Sequence, residues 1–230
     1  MASTTRKQPG TEKITVEDNK ALDNIQVMYE KNKKTINLVA GIAIGAVVAF
    51  FAYKKLYQEP RSNKAVTAMS YAQRYFEVDS LNKALNGDGQ RAGFLKIEKK
   101  FSGTPSANLA HYYAGVCYLK TGDFKNAIKH LEDFDGKGTQ VEYAAYGCLG
   151  DAYMETGNTK KGIEYYNKAA GNKDDNAISP FYLQRAGRAY EMDKQPEEAK
   201  KAYIRIRDEY PTSAQARDVE KSLARLGVLE

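Results

Sequence analysis

The spacing of apolar residues changes twice along this chain, and each change marks a segment. From residue 1 to 35 polar and charged residues dominate, and no apolar period is sustained until Ala21, Ile25 and Met28. Thr4, Thr5, Pro9, Gly10 and Thr11 among mixed charges predict a disordered polar tail leading into a short juxtamembrane helix. From Ile36 to Tyr53 eighteen residues pass without a charge, about the length that crosses a hydrocarbon core as a helix. Beyond residue 58 apolar positions recur at helical spacing between glycine and proline breaks, which predicts an all-α domain of helix hairpins.

The uncharged run is bracketed by Lys31, Lys33 and Lys34 before it and Lys54 and Lys55 after it, with Tyr53 and Tyr57 at the level of an interfacial aromatic belt. A transmembrane helix over 36–57 follows. A cleavable signal peptide fits less well, because a long polar stretch precedes the run and no A-x-A site follows it. A buried core helix would show one polar face, and only Asn37 breaks this one. Lys/Arg counts near the two ends are equal, so charge leaves the orientation open; the tight lysine cluster at 31 to 34 favours a cytoplasmic tail. Gly41, Gly45 and Ala49 share one face and offer a close-approach surface for another membrane helix.

Internal self-similarity is the most specific signal downstream. With Gly115, Gly150 and Gly187 in register, residues 114–131, 149–166 and 186–203 read AGVCYLKTGDFKNAIKHL, LGDAYMETGNTKKGIEYY and AGRAYEMDKQPEEAKKAY. Tyrosine follows each glycine by three positions, and a second small residue (Ala127, Gly162, Ala199) follows by twelve, as two closely packed helices require. Gly122 and Gly157 supply the left-handed position that ends a helix, and Asp193 with Pro196 makes the third turn. Leu131, Tyr166 and Tyr203 fall at equivalent core positions, and Tyr210-Pro211 closes the last unit.

These residues resemble the tetratricopeptide repeat family, over residues 106–211 in three units. Spacings of 35 and 37 between the glycines imply longer linkers at 135–140 and 171–176. Residues 58–105 read as a degenerate repeat: Ala65, Met69, Ala72 and Phe76 share one face, and Asn86-Gly87-Asp88-Gly89 turns the chain into a second helix keeping Gly93, Ile97 and Pro105. Its first helix is expected to lack the glycine and tyrosine. Residues 212–230 are expected to form a capping helix. The fold class is therefore all-α: one N-terminal transmembrane helix, then a solenoid of helix hairpins.

Charge and chemistry alter this picture little. The net charge of +6 has no dense basic tract of the kind nucleic acid selects. Cys117 and Cys148 lack metal spacing and lie in apolar stretches, as packing residues do. Of the two histidines, His111 falls at a core-facing position and His130 is expected on the surface of a second helix. No nucleophile elbow, zinc motif or phosphate loop occurs, so no catalytic, cofactor or metal residues are expected, and the chain reads as a binding protein, not an enzyme.

The family resemblance implies a peptide-binding groove on the first helices at Tyr112, Val116, Leu119, Asp151, Met154, Glu155, Gln184, Arg188 and Glu191. Carboxylate-clamping members carry lysine and asparagine where this chain has Tyr112, Val116, Gly147 and Asp151, so an apolar segment suits the groove better. An anchor followed by repeats is also similar in arrangement to the bacterial YfgM-like ancillary subunits of the Sec translocon. That similarity implies a single-pass inner-membrane protein with a periplasmic repeat domain, contact with SecYEG and with a membrane-anchored prolyl isomerase-type chaperone, and a part in handing over secreted proteins. The alternative is a structural organiser of another cell-envelope complex.

Overall fold

The computed structural model describes residues 16–228, as two compact units, 16–58 and 59–228. The tail at 1–15 and the side chains of Ala21 and Ile25 lie outside the described residues. The first unit is α1 (Val16–Tyr53), closed by one π-helical turn at Lys54–Gln58. The stretch expected to form a separate short helix joins the apolar run in a single helix. Leu38, Val39, Ile42, Ile44, Val47, Val48, Phe50 and Phe51 are all more than half exposed, so the apolar side chains of this run are left uncovered.

The second unit holds α2 (Glu59–Glu77), α3 (Leu81–Asn86), α4 (Phe94–Lys100), α5 (Pro105–Lys120), α6 (Phe124–Glu132), α7 (Gln140–Glu155), α8 (Thr159–Ala169), α9 (Ile178–Met192), α10 (Pro196–Glu209) and α11 (Ala214–Arg225). One backbone device recurs through it. The amides of Ser80, Asp123, Asn158 and Gln195 donate to the carbonyls of Tyr75, Tyr118, Tyr153 and Tyr190, five residues back, at 2.8–2.9 Å. The residue between is left-handed each time: Asp79 (φ 56°), Gly122 (82°), Gly157 (77°) and Lys194 (56°). This is a Schellman closure repeated four times. Side chains then start two of the next helices, Asp123 accepting from the Asn126 amide and Asn158 from that of Lys161.

The closures correct the reading of the first repeat. Counting from Asp79 puts Ala72 and Tyr75 where Gly115 and Tyr118 stand, and Ala84 where Ala127 stands. So α2 is a proper first helix with alanine in place of glycine, and its turn is Val78-Asp79-Ser80. The Asn86–Gly89 turn lies later: the place of one second helix is taken by two short ones, α3 and α4, joined through a detour pinned by a Gly87–Ala92 bridge. In the third unit Lys194 itself occupies the left-handed position assigned to the Asp193–Pro196 turn.

The repeat glycines make room for large residues of the second helix. A Cβ on Gly115 would stand 2.5 Å from Leu131 Cγ, and Cβ atoms on Gly150 and Gly187 would enter the Tyr166 and Tyr203 rings. Leu131, Tyr166 and Tyr203, nine residues after the turn, are each at least 95% buried. The last helix, α11, buries Val219 and Leu223 against Tyr203 and Ile206, and ends in a fifth closure, Val228 donating to Leu223 across Gly227.

Candidate functional site

Two adjoining hollows run along the first helices. One, of about 460 Å³, is lined by Leu119, Asp151, Met154 and Glu155; the next, of about 500 Å³, by Met154, Glu155, Gln184 and Arg188. Tyr166 and Arg185 belong to both. The structure thus brings together Leu119, Asp151, Met154, Glu155, Gln184 and Arg188. It leaves out three of the expected positions. Tyr112 packs edge-on to Tyr113 and against Phe134, centroids 5.3 and 5.6 Å away. Val116 is half-buried and lines neither hollow. Glu191 is tied down by the Tyr203 hydroxyl at 2.6 Å and by Arg225 at 2.7 and 2.9 Å.

The floor of the groove is polar but internally balanced. Asp151 accepts from the Tyr166 hydroxyl at 2.6 Å and pairs with the Arg185 guanidinium. Burial, followed by the Asp151 carboxylate, pushes the Tyr166 phenol far above its ordinary range, so it stays a donor. Arg185 in turn stands 4.8 Å above the Phe181 ring. Exposed Glu155 and Arg188 form the charged rim. Phe181, Arg185 and Met192 are groove residues that sequence reasoning missed. With Arg188 they fall at i, i+4, i+7 and i+11 on α9, a single helical stripe.

In the first unit, Gly41, Gly45 and Ala49 are exposed, and a Cβ on either glycine would meet nothing within 4 Å. Cys117 is buried and Cys148 half-buried; burial pushes both thiols up to about 12, so both are inert at neutral pH.

A second cluster lies where α4, α5 and α6 meet. His130 is buried, not on the surface as expected: its ring stacks on Tyr118 at 5.3 Å, and its Nδ1 lies 3.1 Å from Glu98 Oε2. His111 Nδ1 approaches the same oxygen to 3.3 Å. All three atoms are withdrawn from solvent, yet none has a partner in hydrogen-bond geometry. Leaving such atoms unmet costs about 1–3 kcal/mol each.

Models of the tetratricopeptide repeat match residues 94–142, 143–176 and 182–213, together half of the chain. No curated protein matches the sequence. Among solved structures, a Podosopora anserina protein described as a kinesin light chain with nearly identical TPR-like repeats superposes with a TM-score of 0.54 at 15% identity, covering 72% of this chain and 85% of that one. MamA superposes with a TM-score of 0.51 at 24% identity, covering 77% and 90%. At these identities the likeness is one of fold. The repeated closures, the small residues beneath Leu131, Tyr166 and Tyr203, and the three family matches agree: the chain belongs to the tetratricopeptide repeat proteins, a scaffold suited to protein–protein interaction.

Proposed function

We propose that this protein is a membrane-anchored scaffold whose groove along α5, α7 and α9 takes an apolar segment of a partner polypeptide. The observation that carries the reading is the row Leu119, Met154, Phe181 and Met192 along the hollows, the first two half-buried and the last two exposed, while neighbouring apolar residues are buried. Phe181 is 38% and Met192 70% exposed. The anchor is supported by α1, whose eight large apolar side chains from Leu38 to Phe51 are uncovered; burying each contributes roughly 1.5–3 kcal/mol. Gly41, Gly45 and Ala49 then offer a helix-packing face within the bilayer.

In the fuller form of this reading the tail is cytoplasmic and the repeats stand in the periplasm of a bacterial inner membrane. There they serve SecYEG as an accessory subunit and pass secreted chains to a prolyl isomerase-type chaperone. Its support is the similarity in arrangement to the YfgM-like family. A photo-crosslinking residue placed at Met192, compared with one at Lys201 on α10, tests groove and partner together. Crosslinks from Met192 to translocon subunits or emerging chains are expected. Crosslinks confined to resident envelope proteins would favour the organiser, and equal yields from both positions would remove the groove. Labelling of Asn86→Cys by a membrane-impermeant maleimide, in cells with a permeabilised outer membrane, reads the orientation.

A further inference from the structure

The chain's only two histidines and one buried glutamate, from three different helices, present one ligand atom each within 4.8 Å of one another. We propose that Glu98, His111 and His130 form a mononuclear site for a divalent transition-metal cation of the zinc type.

Two ligands held about 2.0–2.1 Å from one tetrahedral ion lie roughly 3.3–3.4 Å apart. The contacts of Glu98 Oε2 with His111 Nδ1 and His130 Nδ1, at 3.3 and 3.1 Å, are of that size. Ligands of a shared ion aim at the ion rather than at each other. Close approach without hydrogen-bond geometry, which all three atoms show, is what such sharing leaves. Two imidazoles and a carboxylate select a borderline d-block ion over Mg2+ or Ca2+, which prefer all-oxygen shells.

The surroundings fit as well. Stacking on Tyr118 fixes the His130 ring. His111, with 26% of its side chain exposed, has the freedom to complete the set. Glu98 and His111 also line a cavity of about 420 Å³ shared with Asn108, Asp133 and Asp135, which gives the ion an entry path and room for water as a fourth ligand. Bound there, the ion would clamp the second-helix position of the first repeat (α4) to both helices of the next (α5, α6).

The test uses the full chain in mild detergent, stripped with a chelator and titrated with Zn2+ by calorimetry, with Co2+ as an optical probe of coordination. Expected are one Zn2+ per chain, a tetrahedral-type Co2+ spectrum, and a melting temperature that rises with Zn2+. Glu98→Gln and His111→Ala should each weaken Zn2+ binding by about 100-fold or more. The partly exposed His111 is the variant best placed to keep the fold, and the wild-type titration needs no variant. Absence of saturable binding to the wild-type chain, unchanged binding by folded His111→Ala, or equal response to Mg2+ would each overturn the site.

Discussion

Gly187→Ala sets two effects of opposite sign against each other. In a helix interior alanine is about 1 kcal/mol better than glycine, so propensity alone would make the variant more stable. The methyl, however, would stand 2.7 Å from Tyr203 Cζ and 2.9 Å from Cδ1, and closer still to Cε1. That ring is fully buried, its hydroxyl is held by Glu191 at 2.6 Å, and Val219 and Leu223 pack in the same cluster. With no room to retreat, the cost belongs at the upper end of the 1–3 kcal/mol typical of overpacking, and the net loss is about 2 kcal/mol. For a unit of this size that lowers the melting temperature by roughly 4–8 °C. Urea unfolding of the full chain in detergent, followed by circular dichroism, measures it. In a Tyr203→Ala background the methyl has space, so only the propensity gain of about 1 kcal/mol remains and the cycle should return a coupling of about 3 kcal/mol. An unchanged or raised midpoint for the single variant would refute the packing argument.

Lys194→Gly should be stabilising. It relieves a left-handed lysine, about 1–2 kcal/mol, against a glycine entropy cost of about 0.5–1 kcal/mol, and a raised urea midpoint would show the net gain. The detour between α3 and α4 should loosen in acid. Asp88 accepts from the Tyr75 hydroxyl at 2.7 Å and from the Arg91 and Gln90 amides, which lowers its carboxyl to about 2 from the usual 3.8. A depressed folded value means the ordering is complete above about pH 4 and fades as pH falls towards 2. The protection of the 87–92 amides, taken relative to their intrinsic exchange at each pH, should fall over that window in the wild type and stay constant there in Asp88→Asn.

Three of the hairpins were legible because their geometry forces visible residues: only a small side chain fits beneath Leu131, Tyr166 or Tyr203, and two turns use glycine. The first repeat was obscured by the same physics in other residues. Alanine serves at position 72, and Asp79 takes the left-handed turn without a glycine to announce it. The one loud signal, Asn86–Gly89, marks the detour instead. Part of the lining of the two hollows follows from register, but register cannot say which side chains a neighbour claims, as Glu191 and Tyr112 show. Glu98, His111 and His130 follow no motif spacing. Only the packing of α4 and α6 against α5 assembles them.

The detour at residues 87–93 shows where this architecture tolerates growth. Solenoids are usually lengthened by adding whole units at an end. Here extra chain has entered sideways, within a unit, while the main-chain closure before it (Ser80 to Tyr75) and the core residue after it (Ile97) keep their places. Because the closures are made by backbone atoms, neighbouring units do not register the change. A binding loop or a reporter domain spliced in at Asp88–Gln90 would therefore ride on the array as cargo, leaving the groove on α7 and α9 as it was.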